Sequence, residues 1–140
     1  MIRRIICLFT IGFVLLSVTV LAGDSEKEAA AISAAEKWLA VVDSAQYAKS
    51  WKEAAVLFRN AIKPERWEQS MQAVRKPLGK LLSRKVLNKA YKSSLPGAPD
   101  GEYVVIQFET SFENKKAAVE TVTSMLDKDG IWRVSGYYIK

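Results

Sequence analysis

The period of the apolar residues changes once along this chain, close to Leu82, and that change restricts the fold more than any other feature. Before it, apolar side chains recur at helical spacing. After it, they alternate, and β-branched and aromatic residues gather. A run of helices followed by a run of strands predicts an α+β fold rather than an alternating α/β one.

The helical part reads as three elements. Ser25-Glu26-Lys27-Glu28 fits a capping box, with Ile32, Ala35, Trp38, Leu39 and Val42 behind it as one stripe. This predicts a first helix over roughly 26–42. Asp43 and Gln46 fit a second box, and Tyr47, Trp51, Ala54 and Phe58 continue as the stripe of a second helix. Lys63-Pro64-Glu65 starts a third, whose stripe is Trp67, Met71, Val74 and Leu78 and whose end is marked by Pro77 and Gly79.

Four strands follow. A basic one runs from about Arg84 to Leu95 and meets a turn-rich segment, Leu95-Pro96-Gly97-Ala98-Pro99-Asp100-Gly101. Tyr103 to Phe112 places Val104, Ile106, Phe108 and Phe112 on one face and Gln107, Glu109 and Ser111 on the other. Residues 117–126 and 131–139 form the last two strands, with turns at Glu113-Asn114-Lys115 and Asp127-Lys128-Asp129-Gly130. Three helices on a curved four-stranded antiparallel meander predict a cone with an open mouth.

The first residues carry a different message. Arg3-Arg4, an apolar run from Ile5 to Leu21 and Ala22-Gly23 have the layout of a secretory signal peptide, and we place cleavage after Ala22. Residues 1–22 are then the signal segment and 23–140 one α+β domain. Leu21-Ala22-Gly23 resembles a lipoprotein box, but Asp24 stands where the lipid-bearing cysteine would have to be. We therefore expect a soluble exported product with no stable membrane anchor. The single cysteine, Cys7, leaves with the leader, so the exported domain has no disulfide to hold it. Arg3 and Arg4 leave too, which makes the domain less basic than the whole-chain net charge of +6.

Asp43-Ser-Ala-Gln-Tyr47-Ala-Lys-Ser-Trp51, the run from Ser94 to Asn114 and the tyrosine-rich close from Leu126 to Lys140 together resemble the exported bacterial family called domain of unknown function 4019. The resemblance implies a Gram-negative periplasmic protein with a nuclear-transport-factor-2-like fold. It implies no activity, so no functional residue is carried over.

Residue types restrict the chemistry further. The chain has no histidine, and its one cysteine is in the leader. The usual zinc sites, Ser-His pairs and Cys-His pairs are thereby excluded from the exported domain. We expect no metal and no cofactor, and Asp127 and Asp129 read as turn residues.

Three sets of residues are candidates for function. An apolar or amphipathic ligand, or a protein partner, would be held at the mouth of the cone by Tyr47, Trp51, Phe58, Trp67, Phe108 and Tyr138, with Trp132 nearby; the same set also fits a plain core. Arg75, Lys76, Lys80, Arg84, Lys85, Lys89 and Lys92 form a stretch without an acid that suits an anionic surface, although strand alternation divides them. A carboxylate–tyrosine acid–base pair would draw on Asp43, Glu109 or Glu120, with Asp43 also a helix cap and the two glutamates read as facing outward. Non-enzymatic ligand or partner binding is the leading expectation. An acid–base enzyme and a homodimer formed through the open sheet face are the alternatives. No nucleic-acid partner is expected.

Overall fold

A computed structural model describes residues 19–140. Residues 1–18, most of the expected signal segment, lie outside the described residues. The α+β expectation holds, with four helices instead of three. They are α1 (Thr19–Asp43), α2 (Tyr47–Glu53), α3 (Val56–Ala61) and α4 (Pro64–Val74), followed by a 3-10 turn at Lys76–Leu78. The strands β1 (Leu81–Lys92), β2 (Tyr103–Phe112), β3 (Lys115–Leu126) and β4 (Trp132–Ile139) form an antiparallel sheet in the order β1-β2-β3-β4.

Helix α1 starts well before the expected capping box, so Ser25 and Glu28 lie inside it and the expected cleavage point after Ala22 falls in its first turns. Alanine is the strongest helix former, and the alanine-rich segment from Ala29 to Ala35 continues the helix without a cap. Ala31, Ala35, Trp38, Leu39 and Val42 are buried on the face that crosses the sheet. The small alanines allow close approach. Ser124 Oγ donates to the Ala31 carbonyl at 3.0 Å.

The second expected cap is also corrected. Asp43 is the last residue of α1 and does not cap α2, whose N-terminus has no side-chain cap. Ala45 sits at φ 60, its N–H donates to the Val42 carbonyl at 2.9 Å, and the Gln46 N–H donates to Val41 at 3.2 Å. This pattern is the Schellman termination of a helix.

The expected second helix breaks in two at Ala54-Ala55. Both residues have extended ψ, and the Ala55 N–H donates to the Val134 carbonyl of β4 at 2.8 Å. A bond to the sheet edge thus replaces the helical bond that would have joined α2 to α3. Tyr47, Ala54 and Phe58 are still buried, so the apolar stripe survives the break. Helix α4 begins at Pro64 as expected.

The inner sheet face carries Val104, Ile106, Phe108, Val122 and Val134, packed against Trp38, Leu39, Phe58, Trp67 and Met71. The tight β2–β3 turn is tied to the 3-10 turn. The Asn114 N–H donates to the Leu78 carbonyl at 2.8 Å, and Asn114 Nδ2 to Pro77 at 3.0 Å. Gly79, at φ 77, lies so close that an added Cβ would come within 3.0 Å of Asn114 Nδ2 and of Glu113 Cβ. Only glycine fits there without strain.

Candidate functional site

A buried polar network ties the helices to the sheet. Asp43 places its carboxylate at the C-terminus of α1, where the helix dipole disfavours negative charge. Two arginines compensate. Arg84 of β1 grips it with Nη1 at 2.7 Å and Nη2 at 2.9 Å, and Arg75 Nη2 reaches it at 3.2 Å. The third Arg84 nitrogen, Nε, donates to Glu120 Oε1 at 2.7 Å. Glu120 is fully buried and also accepts from Thr110 Oγ1 at 2.7 Å and from the Tyr137 hydroxyl. Arg75 donates to the Gly79 carbonyl at 2.8 Å and lies 4.3 Å from the Phe112 ring centre, although its Nε has no acceptor.

Two guanidinium groups and two carboxylates balance in formal charge, which makes burial tolerable. Burial pulls the Arg84 guanidinium toward deprotonation, but Asp43 and Glu120 outweigh it, and its pKa ends above the ordinary arginine value. Burial, reinforced by the Glu120 charge, raises the Tyr137 phenol far above the ordinary tyrosine value.

The arrangement contains a carboxylate–tyrosine contact between Glu120, one of the three candidate acids, and Tyr137, a tyrosine outside the candidate residues. Glu120 faces inward, contrary to expectation, because it shares strand parity with Ala118 and Val122. Counting alternation from Val122 would have found it. Three donors occupy Glu120, and none of the four described surface depressions is lined by Glu120 or Tyr137. Chemically the network is a clamp: its charges are paired and its proton-bearing groups point at one another.

The expected pocket aromatics lie in different environments. Tyr47, Phe58, Trp67 and Phe108 are buried in the core, with Trp51 packed against it. Trp67 meets Phe58 edge-on at 4.9 Å between ring centres and Trp38 at 5.8 Å. The indole N–H groups are used internally: Trp38 donates to the Ser50 carbonyl at 2.8 Å, Trp67 to Ser50 Oγ at 2.9 Å and Trp51 to the Ile62 carbonyl at 2.8 Å. Tyr138 is 51% exposed on the opposite, outer face and does not join them. Trp132 lines a depression of about 370 Å³ between α1 and β4.

The basic stretch is likewise divided. Arg75 and Arg84 serve the buried clamp. Lys89 pairs with Glu28 of α1 at 3.6 Å, and Lys85 with Glu109 across the strands at 3.3 Å, as expected for an outward-facing Glu109. Lys76, Lys80 and Lys92 are exposed and scattered. The turn carboxylates are also occupied: Arg133 holds Asp127 at 3.0 Å and Asp129 at 2.8 Å, and this pairing keeps the Asp129 carboxyl below its ordinary pKa.

What the sequence reading missed lies on the outer sheet face. Lys85, Glu109 and Val119 form one row across β1, β2 and β3 that Lys140, just past the end of β4, continues, Val119 and Lys140 exchanging both backbone hydrogen bonds at 3.0 Å. With Ser83, Leu87, Lys116 and Ala117 they line a depression of about 680 Å³. Leu87 is extruded by a bulge between Val86 and Asn88 and stands 51% exposed. A bulge is invisible to an alternation count, so only the folded register shows this set.

Among the described residues, no group of histidine, cysteine or acidic side chains is placed to hold a metal ion, and no helix is long and apolar enough to cross a membrane. No curated protein and no solved structure matches the chain. A family model matches residues 34–137, a span that takes in the clamp residues from Asp43 to Tyr137 and most of the outer row, and the chain accordingly belongs to the family described as protein of unknown function (DUF4019).

Proposed function

We propose that this chain is an exported, non-enzymatic binding domain whose recognition surface is the outer face of the sheet. The observation that carries the reading is an asymmetry. The inner face is filled by tryptophans whose N–H groups are already satisfied, whereas the outer face holds the depression of about 680 Å³. In the proposed nuclear-transport-factor-2-like arrangement the cone is its own core, and ligand or partner binding moves to the back of the sheet. Export rests on the leader pattern, Arg3-Arg4 followed by an apolar run to Leu21.

Single-cysteine labelling tests this, because Cys7 is the only thiol to remove. In a Cys7→Ser background, Ala117→Cys reports on the depression and Ala40→Cys on the exposed side of α1. The first should react slowly with a maleimide in the native envelope and rapidly once the protein is purified, while the second reacts rapidly in both. Equal reactivity of Ala117→Cys in the two settings would refute an occupied outer face.

A further inference from the structure

We infer that the outer depression is a site for a small amphipathic anion, an apolar chain with an acidic head; this rests on the outer face being the recognition surface. Its apolar lining is Leu87, Ala117, Ala118 and Val119. Its charged lining is mostly cationic: Arg84, held by Asp43 and Glu120, with Lys85, Lys116 and Lys140. Glu109 is the only acidic side chain lining it, and that carboxylate is paired with Lys85. Lys116 and Lys140 have no acidic partner among the described residues. These two lysines are far apart in sequence and line one depression because β3 pairs with β4 and with Lys140 beyond it; the Lys140 ammonium lies 6.0 Å from the Tyr138 ring centre.

Charge decides between occupants. A second copy docked on this face would set one lysine rim against another, and like charges brought together oppose association. A neutral apolar molecule would leave both ammonium groups uncompensated. An acid group meets Lys116 and Lys140 while its chain covers Leu87 and Val119. The volume of about 680 Å³ suits a small molecule, within the roughly 300–1,000 Å³ of such sites.

The test titrates protein purified from the envelope with 11-(dansylamino)undecanoate at low salt, reading dansyl fluorescence, with its methyl ester as the neutral control. Saturable binding of the acid, weaker binding of the ester and weakening by added salt are expected. Lys116→Glu/Lys140→Glu should lower affinity for the acid roughly tenfold, and Val119→Asp should abolish it, with circular dichroism showing both variants folded at the titration temperature. Equal binding of acid and ester, or a charge reversal without effect, overturns the inference. So does the absence of binding to the acid, or a dimer in sedimentation that hides Ala117→Cys. If Ala117→Cys stays shielded in the envelope while undecanoate fails to bind, the ligand class is wrong and the recognition surface stands. If neither result appears, both fall.

Discussion

Glu120 brings a carboxylate to a position with no solvent exposure, and its neighbours determine whether that is affordable. Arg84 is the shared partner of Glu120 and Asp43, so its loss would strand two acids at once. Breaking a buried ion pair from one side costs about 3–5 kcal/mol, more than the pair itself contributes. Arg84→Met should therefore destabilise the protein by about that amount in urea unfolding. Glu120→Gln should be costly too, because Arg84 then keeps one carboxylate only. The double variant should be less destabilised than the sum of the two, since removing both charges leaves fewer of them unpaired. Strict additivity would mean that Arg84 and Glu120 are not coupled. The inward direction of Glu120 was legible from its strand parity with Val122, but its arginine partner was not. Arg75 and Arg84 stand among lysines, and five basic neighbours made them look like surface.

At the scale of elements, the stops were harder to read than the stripes. The expected apolar stripes of the first two helices are largely buried, yet one boundary was misplaced and one helix was split. Asp43-Ser44-Ala45-Gln46 has the residues of a cap, but its backbone ends the preceding helix. Ala45 holds the left-handed position that glycine usually takes there. The left-handed region costs a non-glycine residue about 1–2 kcal/mol, and glycine loses about 0.5–1 kcal/mol more backbone entropy on folding. Ala45→Gly should accordingly raise stability by about 0.5–1 kcal/mol in thermal or urea unfolding. A loss of stability would show that the alanine methyl group makes a contact of greater value. The split between α2 and α3 has a different cause. It depends on the bond from Ala55 to Val134, a residue 79 positions away, and no local pattern contains it.

For the whole molecule, the phenols set the alkaline limit. Tyr137 is raised by burial and then by Glu120, Tyr91 by burial and then by Glu102, and Tyr103 by burial and then by Asp100. In each case the folded state favours the neutral form. The unfolded chain ionises first, near pH 10. The stabilisation is thus complete below pH 10 and is lost as pH rises from there toward the folded-state values. Urea midpoints should be level from neutral pH to about pH 10 and decline above it. Tyr137→Phe should remove about 1.4 kcal/mol per pH unit from that decline. An unchanged slope would mean that Tyr137 ionises as freely in the folded protein as in the unfolded one.

By itself the sequence determined the kind of protein this is. The change of period near Leu82 established helices before strands, the alternation in β2 marked the buried face, and the absence of histidine removed whole classes of chemistry. These are properties of near neighbours, which spacing and residue type control directly. Only the tertiary structure decided which charges are buried and which line a surface. Arg84 and Lys85 are adjacent in sequence, yet one is clamped between Asp43 and Glu120 and the other is exposed and pairs only with Glu109 on the outer face. Their fates follow from the pairing of β1 with β2 and from the end of α1 lying over the sheet, long-range contacts whose partners have no local signature.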